Sequence, residues 1–152
     1  MGIYASRRFI LVVLAVAAGA LTPGSAWTGA GETGGRRFTL GTCVNTFDPA
    51  RVESTAAGYQ YWFVGKDFLD GRTVKMTVVR PHEATHPPHR HAEDEIFFVL
   101  EGTAELILNG ETKRVPAYTS FYCPPDSLHG IRNPGDTELR YLVIKKYSPA
   151  SR

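Results

Sequence analysis

The chain has 152 residues, enough for one domain with a real core, and its 43% hydrophobic and 21% charged content fits a soluble globular protein. Of its 17 basic residues, Arg7 and Arg8 fall in the first 26 positions, which hold no acid, so residues 27–152 carry 15 charges of each sign. That balance leaves no basic patch to argue for nucleic acid or an anionic membrane as a partner. Ten prolines and fifteen glycines, spread along the chain, favour many short strands over long helices.

Residues 1–26 read as an export signal. Arg7 and Arg8 precede an uncharged apolar run over residues 9–21, too short to span a bilayer. Gly24 and Ala26 supply small residues at the minus-three and minus-one positions for cleavage after Ala26, with cleavage after Ala20 as the alternative. Ser6-Arg7-Arg8-Phe9-Ile10-Leu11 also resembles a twin-arginine signal, the route for folded and often metal-loaded proteins. The lysine of that consensus is missing, since Leu11 leads straight into Val12, and an ordinary secretory signal is the competing reading. Either route predicts a periplasmic or secreted protein with no membrane anchor after cleavage. An oxidising compartment permits a disulfide between Cys43 and Cys123; two buried free thiols are the alternative.

Residues 27–36 are Gly-rich and predict a flexible lead-in. A single domain is expected over 37–152. Phe38-Thr39-Leu40 suggests a short strand, and Asp48-Pro49 a turn or helix start. The aromatic run at 59–64 reads as a strand. Asp70-Gly71 is a hairpin turn leading to a Val- and Thr-rich strand over 72–80, which Pro81 ends. Strands follow at 95–100, 103–108, 112–115, 120–123 and 139–146, with Asn109-Gly110 as the strongest hairpin signal. About eight short strands with no sustained 3.6-residue period indicate an antiparallel barrel or a two-sheet sandwich. Arg140, Lys145 and Lys146 on the last strand read as a solvated edge guarded against pairing.

The chemistry concentrates between residues 79 and 102. Four of the five histidines lie there, and the fifth, His129, follows a Pro124-Pro125-Asp126 turn. His89 and His91 are one residue apart, so an extended chain points both to one face. Glu95 shares their parity. Asp94 has the wrong parity, and Glu93 comes too soon after His91 for the intervening turn; both read as solvated loop acids. His129 would add a third imidazole from a later strand. Three imidazoles and a carboxylate suit Fe, Mn, Ni, Cu or Zn better than calcium or magnesium. His82 and His86 flank the set as weak candidates for proton carriers, with plain rim residues the stronger reading. Arg80 could take a substrate carboxylate with its planar fork. Phe97 and Val99 share the parity of Glu95 and are expected to line a pocket, with Tyr122, and less so Tyr118, within reach. Ile96, Phe98 and Leu100 then form an outward apolar row that another sheet or a second copy in a homodimer would cover.

These residues resemble the cupin superfamily. Its first motif, G-x5-H-x-H-x3,4-E-x6-G, is matched by His89, His91, Glu95 and Gly102; its second, G-x5-P-x-G-x2-H-x3-N, by Pro124, His129 and Asn133. The resemblance covers about residues 59–146. It implies a double-stranded β-helix (jelly-roll barrel), often dimeric, with one transition metal held by His89, His91, Glu95 and His129. Three motif glycines are replaced: Glu83, beside His82, stands at the first, Tyr118 and Asp126 at the others. Cupins with this ligand set include dioxygenases, decarboxylases, isomerases, sugar-acid lyases and binding domains. The expected function is a metal-dependent enzyme on a small organic molecule, an oxygenase first. A Lewis-acid lyase or isomerase and a non-catalytic ligand-binding module are the alternatives.

Overall fold

The computed structural model describes residues 32–33 and 36–148. The expected export signal and its cleavage sites lie outside the described residues. Of the expected lead-in, Glu32–Thr33 (β1) pairs antiparallel with Arg36–Arg37 (β2). Described residues from Leu40 onward belong to a separate compact unit. It opens with a helical turn, Leu40–Cys43 (α1), where a strand was expected from Phe38, and with a 3-10 turn, Pro49–Arg51. Asp48 caps that turn by accepting a hydrogen bond from the Ala50 amide at 2.9 Å, while Pro49 loses nothing by lacking an N–H there. Among the described residues no helix is long and apolar enough to cross a membrane.

Nine strands form the rest: Glu53–Thr55 (β3), Gly58–Leu69 (β4), Arg72–Val79 (β5), Glu95–Glu101 (β6), Ala104–Leu108 (β7), Glu111–Val115 (β8), Ser120–Cys123 (β9), His129–Arg132 (β10) and Leu139–Lys146 (β11). They build two antiparallel sheets, β3-β4-β5-β11-β6-β9 and β10-β7-β8. This is the all-β double-stranded helix that the motifs implied. β3 escapes the sequence reading, and β10 is expected there only as a later strand carrying His129, without bounds. β3 is three residues of Glu, Ser and Thr, and β10 contains Gly130, so neither shows the alternation that marks a strand.

The six-stranded sheet buries apolar side chains on both faces. Its inner face buries Val79, Phe97, Val99, Leu139 and Tyr141 in the main core. Its back face buries Tyr61, Met76 and Val78, with Tyr59, Phe63, Leu100 and Leu142 packed around them. The chain before β3 covers that back: the Tyr61 hydroxyl donates to the Thr46 carbonyl at 2.9 Å, and the Phe47 ring stacks edge-on at 4.9 Å. The outward row expected on β6 is thus partly covered from within the chain, through Leu100, and Ile96 stays 38% exposed.

β11 is not an edge. It lies between β5 and β6, so its inward positions, Leu139, Tyr141, Val143 and Lys145, are buried. Lys145 is 7% exposed, which corrects its reading as a solvated edge charge. Cys43 is exposed and Cys123 fully buried, both as free thiols; of the two sequence alternatives only Cys123 fits the buried one.

Candidate metal centre

Pro87 and Pro88 keep the segment before β6 extended, since each lacks an N–H and disfavours helix in the residue before it. His89 then forms a two-way backbone pair with His129 at the start of β10, N–H to carbonyl at 2.9 and 3.0 Å. Two residues on, the His91 carbonyl accepts from the Asp126 amide at 2.8 Å. The His-Arg-His segment is thereby zipped against residues 126–129. Arg90, of opposite parity, turns outward and donates to the Asp126 carbonyl at 2.7 Å. β6 begins at Glu95 with its side chain on the inner face.

The result brings His89, His91, Glu95 and His129 together, with one ligand atom of each within 4.8 Å of all the others. Proton placement tests whether a cation fits. His91 Nδ1 donates to the Glu93 carbonyl at 2.6 Å and His129 Nδ1 to the Ser127 carbonyl at 2.8 Å. Carbonyls only accept, so in the neutral rings both Nε2 atoms carry lone pairs. Both lone pairs face the same Glu95 oxygen, at 3.5 and 2.9 Å. His89 Nδ1 and His91 Nε2 are buried and make no hydrogen bond. Converging lone pairs around a buried carboxylate repel one another unless a proton or a metal ion sits among them, and backbone carbonyls are the usual outer support of ligating imidazoles. Burial, with the fields of the His86, His129 and His91 rings, pulls the His89 pKa below its ordinary value, favouring the neutral imidazole that a metal needs. The donor set therefore fits a transition metal.

His89, His91 and Glu95 line a cavity of about 240 Å³, with His129 buried behind them. Phe97 lines it as expected, its ring 5.5 Å from that of Tyr141. His86 also lines it, with its ring 4.4 Å from His89. Other expected residues lie elsewhere. Val99 points inward but is sealed in the core one layer below. Tyr122 is 53% exposed because it pairs with Ile96, on the outward face. Tyr118 is 83% exposed. Arg80 is exposed, donating to the Ala56 carbonyl at 2.6 Å with Glu83 at 3.6 Å. His82 is exposed against Asp136 at 2.9 Å. Glu93 is not a free loop acid, since Lys145 lies 3.6 Å from its carboxylate.

Lys75, Gln60, Thr77, Tyr141 and Lys145 line the cavity and were missed. β5 alternates Thr73, Lys75 and Thr77 with Val74, Met76 and Val78, and apolar side chains ordinarily mark the core face. Here the polar row faces the cavity, because the back face is itself covered.

The motif departures have a backbone meaning. Tyr118 and Asp126, standing where glycine is usual, adopt φ of 61° and 58°, and His82, beside Glu83, adopts 61°. The left-handed turns survive with side chains in place, at about 1–2 kcal/mol each for a residue other than glycine. Asn133 closes the same end from 0% exposure. Its Nδ2 donates to the Val79 and Thr137 carbonyls at 3.0 and 2.7 Å, and its Oδ1 accepts from Gly135 at 2.9 Å.

Fold and site define a cupin-type jelly roll with a three-histidine, one-glutamate cluster at its mouth. Comparison with known proteins agrees. Residues 75–145 match the Cupin domain family. A Cupin 2 conserved barrel domain protein from Salinispora arenicola CNS-205 shares the fold with a TM-score of 0.57 at 23% identity, over 68% of this chain and 87% of that one. Mannose-1-phosphate guanylyltransferase RfbM of Salmonella typhimurium is 32% identical over 81 residues, 53% of this chain and 16% of its own length. The 5-nitrosalicylic acid 1,2-dioxygenase of Bradyrhizobium sp is 36% identical over 56 residues, 37% of this chain and 27% of its own. The chain thus spans less than a third of either relative. Together these matches show a cupin-like fold and a Cupin domain match over residues 75–145.

Proposed function

We propose that the protein is a metal-dependent cupin enzyme acting on a small organic molecule, with an oxygenase as the first reading. The observation that carries it is the pair of Nε2 lone pairs from His91 and His129 converging on Glu95, beside an open cavity. A bound Fe, Mn, Ni, Cu or Zn would polarise a substrate oxygen or, if redox-active, bring dioxygen chemistry to the cavity. The chain's own part is to orient the ligands through the Glu93 and Ser127 carbonyls and to enclose the substrate. Phe97 and Tyr141 supply its apolar wall. A closed site without a cavity would have favoured a purely non-catalytic module. A match to part of a dioxygenase supports the oxygenase reading; that substrate belongs to the relative.

A second reading, a Lewis-acid lyase or isomerase, is favoured by His86. Its ring lines the cavity near His89, where a base would be needed, whereas His82 is remote from it. Identifying the metal in protein from its native source, then measuring oxygen uptake with phenols and sugar acids, separates the two. Native zinc with no oxygen uptake excludes the oxygenase. We also propose that residues 1–26 direct export to the periplasm or medium, and that the outward face of β6 serves a homodimer. Mass spectrometry of the mature N-terminus and ultracentrifugation test these.

A further inference from the structure

We propose that the cavity takes a small organic monoanion and that Lys75 binds its carboxylate, in the same cavity that His89, His91 and Glu95 line. This names a substrate class for the same site and rests on the reading above. Lys75 occupies the inner face of β5 and shares the cavity lining with the metal-ligand cluster. Its ammonium lies 5.1 Å from the centre of the Trp62 ring, and no ion pair among the described residues includes it. Glu53 contributes a field at Lys75 but already accepts from Gln60 at 2.7 Å and from Trp62 at 3.1 Å. The other cavity lysine differs: Lys145 faces Glu93 at 3.6 Å, so its charge is compensated.

The charges do not balance without a ligand. Glu95 offsets only half the charge of a divalent ion, and the imidazoles are neutral ligands. Lys75 adds a further positive charge, softened by the field of Glu53, so an anion in the cavity lowers the surplus. A half-buried charge is costly unless something pairs with it, and the cavity offers room for that partner. Burial pulls the Lys75 pKa below its ordinary value, opposed by Glu95 and Glu53. Arg80, the residue that sequence alone suggested for this task, points away. Lining residues also favour a carboxylate over a phosphate. Phosphate sites commonly add arginine forks or helix N-termini to lysine, and of these only lysines line this cavity. Its volume of about 240 Å³ lies below the usual range for drug-sized ligands, so the anion is small.

The test is calorimetry on the full chain, with and without zinc, using benzoate, uncharged benzamide and inorganic phosphate as probes. Wild type is expected to bind benzoate, and Lys75→Met to weaken it about tenfold, or about 1.4 kcal/mol. Benzamide affinity and zinc stoichiometry should stay unchanged in that variant, and Lys75→Arg should restore most of the loss. The proposal is overturned if wild type binds no benzoate, if Lys75→Met leaves benzoate unchanged or weakens benzamide equally, or if phosphate binds more tightly than benzoate. A wild type that discriminates benzoate through Lys75 yet binds no zinc would sink the metal reading while leaving this one standing.

Discussion

His129 commits its Nδ1 proton to the Ser127 carbonyl and turns a lone pair toward Glu95, so its value lies in the ion it can help hold. His129→Ala should therefore lower zinc affinity by more than the roughly 10–100-fold typical of losing an outer support. Competition against a chromogenic chelator measures it, and unchanged affinity would refute the ligand set. Asn133 is a different kind of residue. It makes three hydrogen bonds to backbone from full burial, so Asn133→Ala strands the Val79, Thr137 and Gly135 groups and should cost about 2–3 kcal/mol in urea unfolding. The cysteines are opposites too. Burial, aided by the Glu95 charge, pushes the Cys123 thiol up to about 12, while Cys43 is exposed. A thiol reagent at pH 8 should modify Cys43 at once and Cys123 only on unfolding.

At the level of elements, two junctions decide how strands meet. Gly102 ends β6 at φ +84°, and a Cβ there would come within 2.5 Å of the Glu138 carbonyl oxygen. Gly102→Ala is expected to destabilise by about 2 kcal/mol or more, visible as a lower melting temperature. The three-stranded sheet is tied by Glu105 on β7, which stands opposite Arg132 on β10 and Arg114 on β8. Both guanidiniums bond its carboxylate, Arg114 at 3.2 Å, and the Arg132 bond is the main cause of a pKa below the ordinary 4.5. Because the folded value is depressed, this contribution is present above pH 4.5 and fades as pH falls through the folded value below it. Glu105→Gln should lower stability at pH 7 and flatten its decline in acid; an unchanged acid limb in parallel melts would count against the trio.

Across the whole molecule, the cluster joins the two sheets. Glu95 starts a strand of the six-stranded sheet, and His129 starts one of the three-stranded sheet. A metal bound there binds the folded state alone, so free zinc at a hundred times its Kd should add about 2.7 kcal/mol to stability. The same zinc should add far less to His129→Ala. Equal stabilisation of both proteins would mean that the metal binds elsewhere.

Much of the site was legible because its signals are local. Parity puts His89, His91 and Glu95 on one face, and the distance to Gly102 fits a strand closed by a turn. Most strands were legible as well, since period-2 alternation and Asn109-Gly110 act over a few residues. The errors share one physical source. Alternation shows that a strand has two faces but not which one turns inward, and here both faces of the larger sheet are covered. That is why Lys145 passed for surface charge, why Lys75 was not singled out, why Val99 was placed in the pocket when it lies beneath it, and why Arg80 and Tyr122 were placed within reach. The sequence by itself determined the all-β class, the identity of the ligand candidates and their donor chemistry. Only the tertiary structure decided that His129 pairs with His89, that β11 is central, and that Lys75 lines the same cavity as His89, His91 and Glu95, because those facts depend on contacts between strands far apart in the chain.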